Sequence, residues 1–294
     1  MNAIIPRRSA LYMPGSNLRA LEKARSLDAD ALILDLEDAV APDEKAAARD
    51  RVCAAVRQGG YGNREVVIRI NTLDTPWGED DLAAAAGAGP DAILVPKVST
   101  PEALVAVGTR LRRMKAPERT RVWAMIETPL ALLDIGAIAA AAHDVDTRLT
   151  CLVMGTNDLA KETRTRLAPG RAAMLPWLMS ALAAARANGI DILDGVYNLL
   201  GDEPGFRAEC EQGRDCGFDG KTLIHPNQIA AANEIFAPSE QEIASARAIV
   251  EAFAQPENAG RGAIALQGRM VERLHADMAR RVLALAEVTI RRPM

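Results

Sequence analysis

The sequence predicts an α/β protein, a (β/α)8 barrel followed by a C-terminal helical extension. Apolar runs that end on polar or charged residues alternate with helix-like segments, and the alternation repeats eight times before the pattern changes. Six runs carry distinct tags: Leu32-Ile33-Leu34 into Asp35-Leu36-Glu37-Asp38, Val66-Val67-Ile68 into Arg69-Ile70-Asn71, and Ile93-Leu94-Val95 into Pro96-Lys97. The other three are Val122-Trp123-Ala124-Met125-Ile126 into Glu127, Leu152-Val153-Met154 into Gly155-Thr156-Asn157-Asp158, and Thr222-Leu223-Ile224 into His225-Pro226. An apolar run bounded by turn residues reads as a buried strand. In parallel α/β proteins the carboxyl ends of such strands are where ligands and catalysis sit.

Residues 9–13 open the series as a first strand, and residues 190–197 supply the seventh. Strand ends then fall near residues 13, 38, 71, 97, 127, 158, 197 and 225, spacings of about 25 to 40 residues, the length of a βα unit. Between them, residues 42–58 open with Asp43 and Glu44, acids suited to a helix N-terminus. Thr100 is placed as an N-cap with Pro101 at the first helical position. The Ala-rich segment 171–187 closes on Asn188-Gly189, a helix stop. A doubly wound open sheet is the alternative, but no glycine-rich phosphate loop follows the first strand.

After His225, residues 227–236 and 240–253 read as helices and residues 255–262 break the chain. Residues 263–266 and 269–271, around Gln267-Gly268, read as a hairpin. A last helix from about Val271 carries Val271, Leu274, Met278, Val282 and Leu285 on one stripe. The expected division is a barrel over 1–236 and an extension over 237–294 that packs on its own or a neighbouring subunit.

A chain of 294 residues can bury a large core. Its 49% apolar and 3% aromatic content suits helices on a sheet better than an all-β sandwich. A net charge of -4 gives no basic footprint, so nucleic acid is not expected as a partner. Cys53, Cys151, Cys210 and Cys216 form no CxxC pair, which suits reduced thiols and a cytoplasmic location. The opening Met1-Asn2-Ala3-Ile4-Ile5-Pro6-Arg7-Arg8 has no signal-peptide core, and no run is long enough for a membrane span.

Glu127 and Asp158 follow apolar runs that become neighbouring strands five and six. Two converging carboxylates with positions left for water are a usual Mg²⁺ seat, and Glu37 and Asp38 are candidates to orient the metal's waters. The plainer alternative is that each acid caps a helix or pairs with an arginine. Arg69 sits among apolar residues, where a buried guanidinium needs an anion; a ligand supplies one, and so would Glu37 or Asp38. Lys97 suits a Schiff base or, preferably, an ion pair with the metal acids. His225 is better placed than His143, and His275 lies close to Glu272. Nucleophile-elbow, HExxH and P-loop patterns are absent.

With these residues in view, the chain resembles the citrate lyase beta-subunit-like, or HpcH/HpaI aldolase, family. The resemblance runs through Arg8-Ser9-Ala10-Leu11-Tyr12-Met13-Pro14-Gly15-Ser16, Leu34-Asp35-Leu36-Glu37-Asp38-Ala39-Val40, Arg69-Ile70-Asn71, Val95-Pro96-Lys97 and Ile126-Glu127-Thr128. It continues through Gly155-Thr156-Asn157-Asp158-Leu159-Ala160 and Lys221-Thr222-Leu223-Ile224-His225-Pro226. It implies a TIM barrel with Mg²⁺ held by Glu127 and Asp158, an acyl-CoA thioester substrate, and a homotrimer or hexamer. By the same matching Tyr12 and Lys23 contact CoA, Arg69 grips substrate oxygens, and Asn157, Ile224 and His225 belong to the substrate site. Asn17 stands where malyl-CoA lyases have a CoA-contacting arginine. The tail reads Gly268-Arg269-Met270-Val271-Glu272 where lyases carry an acid/base aspartate that reaches a neighbour's site. The glutamate version, with Gly195-Val196-Tyr197-Asn198 and residues 209–215, resembles the (3S)-malyl-CoA thioesterase branch.

The resemblance therefore implies carbon–carbon lysis of a malyl-CoA-type 3-hydroxyacyl-CoA, with thioester hydrolysis as the alternative and with Arg69, Glu272 and Asp38 as catalytic groups. In a lyase, loss of the 3-hydroxyl proton breaks a carbon–carbon bond and leaves glyoxylate and an acetyl-CoA enolate. Arg69 then stabilises the enolate oxygen and Glu272 protonates the carbon. In a thioesterase Glu272 activates water, and the products are malate and CoA. A CoA-binding subunit without turnover is the non-enzymatic alternative.

Overall fold

The computed structural model describes residues 4–290; Met1-Asn2-Ala3 of the leader considered above, and residues 291–294 of the extension, lie outside them. Eight short strands form the barrel: β1 (Ser9–Pro14), β2 (Ala31–Asp35), β3 (Glu65–Arg69), β4 (Ala92–Val95), β5 (Arg121–Ile126), β6 (Leu149–Met154), β7 (Asp191–Asp194) and β8 (Gly220–Leu223). Every strand pairs in parallel with the next, and β8 returns to β1, so no sheet edge is left open. The helices in order are α1 (Leu18–Ala24), α2 (Lys45–Gln58), α3 (Gly78–Ala88), α4 (Pro101–Arg113), α5 (Pro129–Leu133), α6 (Ile135–Ala140), α7 (Thr156–Thr163), α8 (Leu175–Ala187), α9 (Glu203–Cys216), α10 (Ile229–Ile235), α11 (Glu240–Ala254) and α12 (Arg273–Ile290).

Side chains alternate across a strand, and every second residue of the barrel strands points inward. Ile33, Val67, Leu94, Trp123, Met125 and Val153 belong to one buried cluster that fills the interior. At the amino end of the strands the fill turns polar. Arg7 donates from Nε and Nη2 to both oxygens of Glu65 at 2.7 Å, pairs with Asp191, and stacks 5.0 Å over the Trp123 ring. This buried plug closes the lower mouth. The upper mouth carries the tagged strand ends.

Several elements differ from expectation. The seventh strand stops at Asp194 instead of running to Tyr197. The following Gly195 passes so near Thr156 that a β-carbon there would lie 2.4 Å from its Oγ1. Strand β8 ends at Leu223, leaving Ile224 exposed beyond it. Thr100 does stand at the N-cap of α4, but its side chain makes no capping bond to the backbone.

The chain divides into two compact units, one over Arg7–Asn233 and one from Glu234 onward together with the residues ahead of Arg7. In the second unit β9 (Ala263–Leu266) and β10 (Arg269–Glu272) form an antiparallel hairpin that pairs Val271 with Ile264, both buried. Val271 therefore belongs to a strand, and the last helix starts at Arg273. The predicted apolar stripe is only partly packed, with Val271 buried and Val282 and Leu285 half-buried. Helix α12 lies against α11 and buries Ala276, Ala279 and Ala286, while Leu274 and Met278 stay exposed. Small side chains let two helices approach closely, so the alanine face wins the contact. Among the described residues no helix is long and apolar enough to cross a membrane.

Candidate active site

Inward parity places the charged tags together at the upper mouth. Asp35 continues the side of Ile33, Arg69 that of Val67, and Glu127 that of Met125. Asp35 and Arg69 are also direct register partners across β2 and β3. Their side chains form a two-pronged ion pair, Nε to Oδ1 at 2.6 Å and Nη2 to Oδ2 at 2.7 Å. The remaining Nη1 of Arg69 reaches Glu37 at 2.8 Å and Asp38 at 3.4 Å. The guanidinium also lies 4.7 Å over the Tyr12 ring. The sequence reading considered Glu37 or Asp38 as the arginine's partner; the principal partner is Asp35, which it assigned no role.

The loop after β2 is held from both sides. Asp35 accepts the backbone N–H groups of Glu37 and Ala39 at 2.9 and 3.1 Å. Lys45 donates to the carbonyls of Leu36 and Glu37, and Asn71 donates to that of Leu36. Two acids of this loop thus face the arginine on a fixed backbone.

Glu127 is buried, with 1% of its surface exposed. Its Oε1 accepts the N–H of Lys97 at 2.7 Å. Lys97 takes a φ of 52°, in the left-handed region that a non-glycine residue occupies only under constraint. The Lys97 ammonium lies 4.0 Å from Asp158, the ion pair preferred from the sequence. Burial pulls that ammonium's pKa down, but the charges of Asp158, Glu37 and Glu127 outweigh it and hold it above the ordinary value. Asp158 sits in the first turn of α7, whose N-cap is Gly155. Gly155 is packed on Glu127, since a β-carbon there would lie 2.4 Å from the glutamate's Cβ and 2.5 Å from Oε2.

The carboxylates are under electrostatic pressure. Burial, and then the charge of Glu37, push the Glu127 carboxyl up to about 8. Burial also pushes Glu37 up to about 7, against the pull of Arg69. No group of three or more His, Cys, Asp or Glu side chains among the described residues is arranged to hold a metal ion by itself. Glu127 and Asp158 are two hard oxygen donors in a site with excess negative charge. That donor set fits Mg²⁺, which keeps several waters and uses one or two carboxylates.

The other sequence-predicted residues are more dispersed. Asn157 is exposed and exchanges amide hydrogen bonds with Asn198 at 2.7 and 3.2 Å, joining the start of α7 to the segment after β7. His225 caps the 3₁₀ turn 226–228, its Nδ1 accepting the Asn227 N–H at 3.2 Å. Ile224 is held by its own N–H to Gln228. Lys23 is exposed in the last turn of α1. Glu272 closes β10 in the second unit, and its N–H donates to His275 Nδ1 at 3.0 Å. His143, set aside from the sequence, contacts Asn188.

A closed parallel barrel with acids and a clamped arginine at its carboxyl mouth defines a barrel enzyme of the carboxylate-rich kind. The chain belongs to the HpcH/HpaI aldolase/citrate lyase family, whose family model matches residues 8–226. It is 51% identical over 282 residues to a (3S)-malyl-CoA thioesterase of Cereibacter sphaeroides, covering 96% of this chain and 95% of that one. It is 36% identical over 288 residues to the citrate lyase subunit beta of Escherichia coli, covering 96% and 94%. Among solved structures, the CitE protein of Mycobacterium tuberculosis in complex with magnesium, acetoacetate and coenzyme A aligns with a TM-score of 0.77 at 28% identity, over 98% of this chain and 100% of that one. A Burkholderia xenovorans citrate lyase at 20% identity shares the fold, with a TM-score of 0.82 over 99% and 94%.

Proposed function

We propose that the protein hydrolyses the thioester of a (3S)-malyl-CoA-type substrate in a Mg²⁺-dependent reaction. The observation that carries this reading is the 51% identity to (3S)-malyl-CoA thioesterases over nearly the whole of both chains. From the sequence alone carbon–carbon lysis came first; the relatives favour the hydrolase branch. Lysis stays as the second reading because the citrate lyase beta subunit also aligns over nearly the whole chain.

Glu127 and Asp158 would hold Mg²⁺, supported by the charge crowding at Glu127. When bound, the ion supplies Lewis-acid polarisation and an anchor for substrate oxygens. Arg69 binds the thioester oxygen and stabilises its developing charge, from a fixed, desolvated position where such a donor acts most strongly. Tyr12 lies under that guanidinium, and Glu37 and Asp38 orient bound water. Glu272 takes a proton from the attacking water, and the water oxygen bonds to the acyl carbon. The carbon–sulfur bond breaks and the CoA sulfur leaves as the thiol after receiving the proton. Lys23, Asn157, Ile224 and His225 are proposed contacts to the CoA ester. Exposed Met270, Leu274 and Met278 in the second unit support a homotrimer or hexamer in which Glu272 serves a neighbouring copy. The free cysteine thiols fit a cytoplasmic location.

Malyl-CoA and Mg²⁺ with separate readouts of free thiol and glyoxylate test the reading. Thiol without glyoxylate is expected; glyoxylate without thiol would establish the lyase. Mixing inactive Glu272→Gln and Arg69→Lys proteins should restore turnover if the two groups meet across copies.

A further inference from the structure

We infer that Asp35 is the positioning residue of the site, the one group that sets both the angle of the Arg69 guanidinium and the path of the acidic loop. The inference rests on the proposed function for what Arg69 does, and on geometry for how it is held. Each oxygen of the Asp35 carboxylate accepts one guanidinium N–H and one backbone N–H. Oδ1 takes Arg69 Nε at 2.6 Å and Glu37 N at 2.9 Å, and Oδ2 takes Arg69 Nη2 at 2.7 Å and Ala39 N at 3.1 Å. The carboxylate is 1% exposed, so no water competes for those bonds.

This arrangement leaves Arg69 one nitrogen, Nη1, outside the Asp35 clamp. Its Nε and Nη2 edge is used by Asp35, and Nη1 alone is turned toward Glu37, Asp38 and the Met125 sulfur. The direction in which Arg69 offers a donor is therefore fixed by Asp35, while the acids it works beside are fixed by the same carboxylate through their backbone. Asparagine at 35 would keep the shape but not the bonding. Whichever way its amide faces, an NH₂ would meet one guanidinium N–H and one backbone N–H, donor against donor.

The test combines kinetics with an observation of the arginine itself. Wild type, Asp35→Asn, Arg69→Lys and the double variant are compared for malyl-CoA turnover, and the arginine Nε–H resonances are recorded in ¹H–¹⁵N spectra. A guanidinium locked on a carboxylate should give a slowly exchanging Nε–H peak in wild type, assigned by its loss in Arg69→Lys. In Asp35→Asn that peak should vanish or move, with kcat/KM lower by about 100-fold, the scale of an ångström-sized misplacement. The loss should lie in kcat rather than KM, and the double variant should be no worse than Arg69→Lys alone. An unchanged Arg69 peak in Asp35→Asn, or losses that multiply in the double variant, would overturn the inference. Thermal melting checks the fold; if Asp35→Asn does not fold, Asp35→Glu, which keeps the charge and lengthens the arm, should shift the same peak and lower kcat. A wild type that releases neither thiol nor glyoxylate would refute the proposed function, and the Arg69 resonance would still decide the role of Asp35.

Discussion

Replacing Gly155 by alanine adds one methyl group and isolates the placement of Glu127 from its chemistry. The φ of −93° at Gly155 is open to alanine, so backbone strain is not the issue. The obstacle is Glu127, whose Cβ and Oε2 would lie 2.4 and 2.5 Å from the new carbon. Ordinary carbon contacts start near about 3.5 Å, so the glutamate must retreat by about 1 Å. Overpacking of that size costs about 1–3 kcal/mol, which a barrel with this core survives. Metal ligands tolerate displacements of only about 0.2 Å, so the functional effect should exceed the structural one. We expect Mg²⁺ affinity to fall by at least about 10–100-fold, the range seen when a ligand's support is removed. Calorimetric titration with Mg²⁺, alongside circular dichroism to verify the fold, measures it. A folded Gly155→Ala protein with wild-type Mg²⁺ affinity would refute the assignment of Glu127 as a metal ligand.

Two further outcomes follow from the charges. Glu127 and Glu37, pushed up to about 8 and about 7, bind their protons more tightly folded than unfolded. In the metal-free protein they subtract stability as pH rises from the ordinary carboxylate range, and the penalty is complete above about 8. Mg²⁺ must displace those protons, so its affinity should climb by up to about tenfold per pH unit per proton between pH 6 and 8 and then level off; a flat profile in titrations across that range would count against the site. Lys221→Met removes a fully buried cation that bridges Asp194 at 3.0 Å and Glu209 at 2.7 Å. Breaking one side of a buried network costs about 3–5 kcal/mol, and Arg171, paired to both acids, should hold the loss to the lower end. Denaturant unfolding measures it, and a loss below about 1 kcal/mol would mean the network does not stabilise the barrel.

The barrel was legible because most of its strands centre on apolar runs with polar residues where each run leaves the sheet. The reading failed where an apolar residue had two possible environments. Ile224 has the composition of a strand but stands past its end, and Leu274 and Met278 make a convincing stripe that the alanines of α12 displace from the contact. Periodicity identifies a face but not which face another helix will choose. Glu127, Asp158, Arg69, Glu37 and Asp38 stand out as candidates in the sequence because each closes or follows a strand run. Asp35 was present in the same tag and passed over, although a signal existed. It and Arg69 are the last residues of adjacent strands of equal length, and equal registers make them opposite partners. Glycine 155 could not be found that way, because its meaning lies in a distance to a side chain on another strand.

The charge arrangement at the upper mouth supports the proposed cation. Arg69 is a buried cation at the upper mouth, and Asp35 engages two of its three nitrogen positions. Lys97 is half-exposed and leans on Asp158 at 4.0 Å. Glu127 lies where an ionised carboxylate is costly, and burial raises Glu37 as well despite its ion pair with Arg69. A fold selected only for stability would place apolar side chains there, as it does one layer lower at Ile33, Val67 and Met125. At the lower mouth the barrel also buries charge, but Arg7 meets Glu65 and Asp191 directly. The two ends therefore differ: below, one guanidinium bonds both acids directly, and above, burial and neighbouring acids together raise the Glu127 carboxyl. In the proposed function a divalent cation would offset that repulsion, leaving the arginine, already held at a fixed angle, to act on a substrate oxygen.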